Sequence, residues 1–175
     1  MKRILTCMLA ICLLGAAACT PNAPVSEQSE PITEATNAPE AEGFVFSATD
    51  LNGNTVDSDS FSDYDLVLMN FWAYWCGPCV AEMPDLEKLH QEYPNVLFLG
   101  VSVDNLSPSE TEQAIKDTGV TYPILLPDEA LTELMNEHPY IPFTYFFRPD
   151  GTQLGDPIIG GKSYDDWKRL LELYL

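Results

Sequence analysis

LVLMNFWAYWCGPC, residues 66–79, is the stretch that decides the fold of this chain. Its first half, residues 66–72, is too continuously apolar for a half-exposed strand and is typical of a buried, parallel one. Beyond the stretch, apolar residues recur at helical spacing: Val80, Met83, Leu86, Leu89 and Tyr93. The sequence therefore predicts that Cys76 and Cys79 lie where a strand gives way to a helix.

The spacing of Cys76 and Cys79 indicates a redox site. Two cysteines separated by two residues can close a small disulfide ring, and the unpaired N–H groups of a helix start favour a thiolate over a thiol. Half of a zinc site and an inert structural disulfide are the alternatives. A zinc site needs a second Cys or His pair at metal-ligand spacing, whereas His90 and His138 stand alone. We therefore expect no metal.

Length and composition predict one folded domain with additional segments. The chain has 175 residues with 46% hydrophobic and 11% aromatic content, which is enough for a real core. Its formal net charge is −19, which becomes −21 without Lys2 and Arg3, because residues 1–18 contain no acid. Such a surface disfavours nucleic acid and anionic lipid headgroups, so a docking partner should be neutral or basic.

The N-terminus indicates export. A basic start precedes an apolar run of about 12 residues, which is too short to cross a bilayer of roughly 30 Å and predicts a secretory signal over residues 1–18. LLGAAAC, residues 13–19, resembles a bacterial lipoprotein signal, in which Cys19 is lipidated and anchors the chain to the membrane. Ala16 departs from the Leu that is usual there, and simple cleavage that leaves a free Cys19 thiol is the alternative.

Residues 19–43 predict a lipidated cysteine followed by a disordered linker, because they carry almost no large apolar residue. The folded domain is then expected over residues 44–175. Cys7 and Cys12 lie within the signal, so Cys76 and Cys79 are the only pair left after lipidation of Cys19. The lack of a third thiol suits a thiol-exchange catalyst in an oxidising compartment.

The order of elements predicts an α/β fold with a mixed central sheet sandwiched by helices. Asn52-Gly53 predicts the turn of an N-terminal β-hairpin, and residues 96–103 predict a strand parallel to the first. Further elements follow: a helix ending at Gly119, a strand over residues 122–126, a helix over 129–137, a hairpin over 143–160 and a final helix capped by Ser163. The acidic residues 57–65 are either a calcium loop or a solvated loop, and they lack the Gly and Glu of an EF-hand.

Residues 44–175 resemble the thioredoxin-fold proteins, and more narrowly the membrane-tethered TlpA/ResA-like thiol-disulfide oxidoreductases. The resemblance rests on NFWAYWCGPC (residues 70–79), on Pro84, on the Ile141-Pro142 pair and on the Pro-Asp-Gly turn of residues 149–151. Residues 105–137 resemble the central αβ insertion that this branch carries and plain thioredoxin lacks.

The resemblance implies roles for individual residues. It implies a cis Ile141–Pro142 bond that faces the cysteines, with the backbone of Ile141 pairing to an extended substrate; a trans proline that starts an edge strand is the alternative. Asn70 replaces the buried aspartate of thioredoxin, and Glu82 matches a glutamate thought to manage the proton of Cys79. The alternative for Glu82 is a solvent-facing position.

A substrate surface is expected around the cysteines, formed by Trp75, Gly77, Pro78, Tyr140, Ile141, Pro142 and Phe143. Phe143 stands where the family usually has Thr, and residues 138–140 stand where Gly is common. Both departures lie beside the substrate groove, so the family's substrate preference does not transfer to this chain.

The mechanism expected from these residues is disulfide exchange without a metal or organic cofactor. Cys76 attacks a protein disulfide as a thiolate, and Cys79 then resolves the mixed disulfide. The Gly-Pro pair between the cysteines resembles the reducing members, which implies a membrane thiol donor of the CcdA type. Family substrates include cytochrome c apoproteins and other exported thiol proteins, and we expect a monomer.

Three alternatives to an exported reductase remain open. An oxidase or isomerase would use the same residues and differ in potential. A thiol peroxidase would need the Thr-x-x-Cys pattern of the peroxiredoxins, and Ala73 stands at the Thr position. A metal-binding assembly factor of the copper type would use a CxxxC pair and a distal His.

Overall fold

The computed structural model describes residues 43–104 and 107–175. The predicted signal, the lipidation of Cys19 and all but the last residue of the predicted linker lie outside these described residues and stay predictions. None of the helices in the described part of the chain is long and apolar enough to cross a bilayer.

Seven strands form one mixed sheet in the order β2-β1-β5-β4-β3-β6-β7. The strands are β1 (Ser47–Asp50), β2 (Thr55–Asp57), β3 (Leu66–Trp72), β4 (Val96–Ser102), β5 (Ile124–Leu126), β6 (Phe143–Phe147) and β7 (Ile158–Ile159). β3 lies parallel to β4, as the sequence predicted, and antiparallel to β6. The end of β3 and the start of β6 therefore meet at one edge of the sheet.

Helices cover both faces of the sheet. They are α1 (Gly77–Glu92), α2 (Pro108–Thr118), α3 (Glu129–Asn136) and α4 (Tyr164–Tyr174), with a 3-10 helix at Ser58–Asp63. Alternate residues of β3 point to opposite faces. Leu66, Leu68 and Trp72 pack with α1, α2 and α4, whereas Val67, Met69 and Phe71 pack with α3 and the 3-10 helix. The predicted sandwich is confirmed.

The predicted N-terminal hairpin is confirmed, because β1 pairs antiparallel with β2 across the turn. β1 begins at Ser47 and runs as far as Asp50. The carboxylate of Asp50 accepts hydrogen bonds from the backbone N–H groups of Asn52 and Asn54, at 2.9 and 2.8 Å. Gly53 has a φ of 84°, which suits glycine. The side-chain turn of Asp50 thus lengthens the strand at its far end.

Side chains at the helix starts tie the elements together. Asp128 caps α3 by accepting from the backbone N–H of Leu131 at 2.8 Å, and its other oxygen accepts from the backbone of Ser47 in β1. Ser163 caps α4 as predicted. Gly119 ends α2 with a φ of 74°, also as predicted. Of these contacts, the one from Ser47 to Asp128 also ties the start of α3 to the sheet.

Candidate active site

Cys76 and Cys79 are joined in a disulfide at the start of α1. Cys76 is the N-cap residue, and the backbone N–H of Cys79 donates to its sulfur at 3.3 Å. This N–H and the positive end of the helix dipole would stabilise a thiolate on Cys76 in the reduced protein. Among the described residues, no group of three or more His, Cys, Asp or Glu side chains is arranged to hold a metal ion.

The two sulfur-bearing residues differ in access. Cys76 is 6% exposed and Cys79 is fully buried at 0%. Gly77 and Pro78, between them, are exposed at the surface. An approaching disulfide can therefore reach Cys76 first, while Cys79 is reachable only from within the protein.

The Ile141–Pro142 peptide bond is cis, and it faces the cysteines. The carbonyl oxygen of Ile141 lies 3.8 Å from the sulfur of Cys76. Pro142 is buried, and its carbonyl accepts from the backbone N–H of Gly160 at 2.8 Å. The alternative of a trans proline at an edge strand is wrong, because β6 begins after Pro142 and lies between β3 and β7.

A groove of about 260 Å³ lies between Trp75 and the segment before Pro142. Its walls include Trp75 and Tyr140, whose side chains are 59% and 75% exposed. The indole N–H of Trp75 donates to the carboxylate of Asp104 at 2.9 Å, which fixes the ring orientation. The remaining lining residues are Val103, Met135, Asn136, His138, Pro139, Ile141 and Phe143.

The expectation that Phe143 forms part of the substrate surface is wrong. Its side chain is 1% exposed, so it forms the floor of the groove and offers almost no contact area. Its ring stacks on Phe71 with centroids 4.4 Å apart, and the ring of His138 lies 4.5 Å away. The reason is the pleat of β6, which turns Phe143 toward the sheet face covered by α3.

A hydrogen-bond chain behind the groove was missing from the sequence prediction. The hydroxyl of Tyr145 donates to the Glu137 carboxylate at 2.8 Å, and the Nε2 atom of His138 lies 2.9 Å from the same hydroxyl oxygen. Burial and the neighbouring Glu137 carboxylate raise the pKa of Tyr145 above its usual range. The phenol therefore stays protonated and holds residues 137–138 in place.

Alanine substitutions of Phe143 and Tyr140 should differ in their effect on the free energy of unfolding, because the first residue is buried and the second is exposed. Phe143→Ala should lower the free energy of unfolding by about 3–5 kcal/mol, because it removes a buried ring. Tyr140→Ala should change it by less than about 0.5 kcal/mol, because the side chain is mostly in solvent. Urea unfolding of the oxidised proteins measures both values. Equal losses for the two variants would contradict this description of the groove.

Glu82 lies inside the protein, so the solvent-facing alternative is wrong. Its side chain is 3% exposed. Oε1 accepts from the Asn70 side-chain amide at 3.0 Å. Oε2 accepts from the backbone N–H of Lys162 at 2.9 Å and from the indole N–H of Trp167 at 3.1 Å. The carboxylate is therefore surrounded by three N–H donors.

The environment of Glu82 favours proton binding. Burial raises the pKa of Glu82, while the hydrogen bonds and the charge of Lys162 oppose this change only in part. Glu82 follows Cys79 by three residues on α1, and both are buried on the same face of that helix. Glu82 is thus an internal carboxyl group close to a cysteine that solvent does not reach.

Asn70, Trp167 and the backbone of Lys162 were not predicted as parts of this site. Trp167 and Lys162 lie 85 and 80 residues from Glu82 along the chain. Asn70 carried a signal, since it is a polar residue inside an otherwise apolar strand and stands in place of the aspartate of thioredoxin. Its partners, Glu82 and Thr144, depend on the packing of α1 against β3 and on the pairing of β3 with β6.

Comparison with known proteins agrees with this geometry. The model of the AhpC/TSA family matches residues 37–152. The chain is 31% identical over 179 residues to the thioredoxin-like protein YneN of Bacillus subtilis, with 99% of each chain covered. It is 32% identical over 141 residues to the thiol-disulfide oxidoreductase ResA of Bacillus cereus, covering 78% of this chain and 75% of that protein.

Solved structures share the fold. A thioredoxin-family thiol:disulfide interchange protein from Chlorobium tepidum superposes with a TM-score of 0.67 at 24% identity, over 76% of this chain and 94% of that one. StoA from Bacillus subtilis gives a TM-score of 0.60 at 21% identity, over 73% of this chain and 96% of that one.

The sheet order, the disulfide at the start of α1 and the cis-proline beside it define a thioredoxin-fold thiol-disulfide oxidoreductase. The chain belongs to the AhpC/TSA family. Two of the relatives that it matches are named as thiol-disulfide oxidoreductases.

Proposed function

We propose that this protein is a lipid-tethered, extracytoplasmic reductase of protein disulfides. The observation that carries the proposal is the unequal solvent access of the two cysteines: Cys76 keeps 6% exposure and its sulfur lies beside the Ile141 carbonyl, whereas Cys79 has none. A dithiol of this form can take one substrate sulfur at Cys76 and keep its second thiol protected until it is needed.

The first step is attack by Cys76. In the reduced protein its thiolate, stabilised by the Cys79 N–H and the helix start, attacks one sulfur of a substrate disulfide. A bond forms between Cys76 and that sulfur, the substrate S–S bond breaks, and its electron pair leaves on the second substrate sulfur as a thiolate. That thiolate takes a proton from solvent.

The second step is resolution by Cys79. Its thiol gives a proton to Glu82, and the resulting thiolate attacks the Cys76 sulfur. The Cys76–Cys79 bond forms, the bond from Cys76 to the substrate breaks, and the first substrate sulfur leaves as a thiolate. The protein ends as the disulfide seen in the structure, and the substrate gains both electrons of the pair.

The groove supplies the docking surface. Trp75 and Tyr140 expose large aromatic surfaces along the groove, and Gly77 and Pro78 are exposed next to Cys76 in the chain. Ile141 presents backbone to which an extended substrate segment can pair as an added strand. A neutral or basic segment suits a chain with a net charge of −19.

Reduction outside the cytoplasm needs electrons from across the membrane, so the partner is a membrane thiol donor of the CcdA type. The signal-like residues 1–18 and the lipidation of Cys19 support a position at the outer face of the membrane. The protein acts as a monomer, because a substrate must reach the open groove, and it uses no metal or organic cofactor.

The proposal is tested by supplying electrons and following a substrate. Pre-reduced protein should convert a disulfide-bonded exported protein to its dithiol in a single turnover, with one substrate disulfide lost for each Cys76–Cys79 disulfide formed. Cys76→Ser should lose this activity entirely. Fractionation of cells should find the wild type with the membrane and Cys19→Ala released from it. Retention of activity by Cys76→Ser would contradict the mechanism.

A further inference from the structure

The two oxygens of Glu82 have partners of different kinds. Oε2 accepts from the Lys162 backbone N–H and the Trp167 indole N–H. Both groups can donate but cannot accept. Oε1 accepts from the side-chain amide of Asn70, which carries a donor at one end and an acceptor at the other. A proton on Oε2 would face the N–H hydrogens of Lys162 and Trp167, neither of which can accept it. A proton on Oε1 faces the Asn70 amide, which can present its oxygen as an acceptor instead of its nitrogen as a donor.

The Asn70 amide has room for a second hydrogen-bond arrangement. Its nitrogen donates to Glu82 and also to the hydroxyl of Thr144 on the neighbouring strand, at 2.9 Å. Its oxygen is buried and has no hydrogen-bond partner. The hydroxyl of Thr144 can donate as well as accept. A half-turn of the amide would therefore bring the unused oxygen to both neighbours.

We propose that Glu82 takes up its proton on Oε1, and that Asn70 is the positioning residue that turns its amide over to accommodate it. With Glu82 charged, the Asn70 nitrogen donates to Oε1. With Glu82 protonated, the Asn70 oxygen accepts from the Oε1 hydroxyl and from the Thr144 hydroxyl. The proposal rests on the proposed function only in naming Cys79 as the source of the proton.

The other groups near Glu82 keep their state while this happens. The Lys162 ammonium donates to the carbonyls of Ile159 and Gly160, at 2.7 and 2.8 Å, and both bonds are independent of the Glu82 carboxyl group. Tyr122 is buried and its pKa is raised far above the usual range by burial and by Glu82, so its phenol stays neutral. Oε2 keeps its two donors throughout. The Asn70 amide is then the group that changes with the proton.

A second carboxylate at this position would work differently. Aspartate in place of Asn70 could accept a hydrogen bond but, when charged, could not donate one to a charged Glu82. Two carboxyl groups at this distance share one proton and titrate as a pair. The amide of Asn70 instead serves both protonation states of Glu82 and adds no charge.

The test is a pH titration of the oxidised protein by NMR, in which the cysteines do not titrate. The carboxyl carbon of Glu82, the side-chain amide of Asn70 and the indole N–H of Trp167 are followed together. The Asn70 amide signals should move with the same midpoint as the Glu82 carbon, while the Trp167 indole keeps its hydrogen-bonded shift. An Asn70 amide that does not respond, or a Trp167 indole that loses its hydrogen bond on protonation, would overturn the proposal.

Two variants make the test independent of one signal. Asn70→Leu, which is close to isosteric, removes a donor from the charged carboxylate and should raise the Glu82 midpoint by about one to two pH units. Trp167→Phe should also raise it but leave the Asn70 response in place. A Glu82 midpoint unchanged in Asn70→Leu contradicts the role of Asn70. A normal Asn70 response with a resolving step that is indifferent to Glu82→Gln would instead refute the proton role of Glu82 alone.

Discussion

Cys79→Ser should capture protein substrates as mixed disulfides, and Cys76→Ser should capture none. Cys76, the more accessible of the two cysteines, can still attack when Cys79 is absent, but nothing then resolves the bond to the substrate. Cys79 is fully buried, so a substrate disulfide cannot reach it in the Cys76→Ser protein. The expected difference in trapped complex is at least about a hundredfold, since the first protein accumulates it and the second does not form it.

The capture is measured on non-reducing gels with mass spectrometry of the cross-linked cysteines. Cys19→Ser should be present in every protein, so that no third thiol competes. The double variant Cys76→Ser with Cys79→Ser is the matched control and should give no complex. Equal capture through either cysteine would show that the difference in solvent access between Cys76 and Cys79 does not decide which of them attacks the substrate first.

Glu82→Gln should slow the resolving step by about a hundredfold at neutral pH and leave the first attack unchanged. General-base help of this kind contributes typically 10²–10⁴-fold. Solvent cannot replace Glu82 easily, because Cys79 has no exposed surface. Gln is tolerated sterically, and a turned Asn70 amide can accept from it. Glu92→Gln, on the same helix but at the surface, is the control and should keep the wild-type rate.

Rapid-quench measurement separates the two steps by following the mixed disulfide and the released substrate thiol. In the wild type the resolving rate should rise with pH as Glu82 loses its proton, and Glu82→Gln should lose this dependence. An unaltered resolving rate in Glu82→Gln would remove Glu82 from the mechanism.

Glu82→Gln should also change the free energy of unfolding, in a direction that depends on pH. Burial holds the folded-state pKa of Glu82 above its ordinary value of 4.5, so the folded protein binds this proton more tightly than the unfolded chain does. The stability that Glu82 contributes is therefore present below about pH 4.5 and falls as pH rises through the folded pKa. Urea unfolding should show Glu82→Gln gaining stability relative to the wild type as pH increases.

The sequence was sufficient for the parts of the fold that depend on local pattern. The continuous apolar run of residues 66–72 predicted the central strand, and helical spacing after Cys79 predicted α1. Together they located the cysteines correctly. The family resemblance correctly implied the cis bond before Pro142, which no periodicity could indicate.

The sequence was insufficient to predict burial and polar contacts that depend on packing between distant elements. Phe143 has the same apolar character as the exposed Tyr140, and only the pleat of β6 buries it. Trp167 is an apolar residue of the last helix and is buried there. Its indole N–H contacts a residue 85 positions away, which follows from the docking of α4 on α1. Polar contacts across elements carry no local signal in a single sequence.

The reduction potential of the Cys76–Cys79 pair tests the reductase account most directly. It is measured by equilibrating the protein with glutathione or dithiothreitol buffers and following the fraction in the disulfide form. A protein that reduces other disulfides should lie near the value of thioredoxin, roughly −270 mV. A potential near that of DsbA, roughly −120 mV, would contradict the account and make the protein an oxidant of its partners.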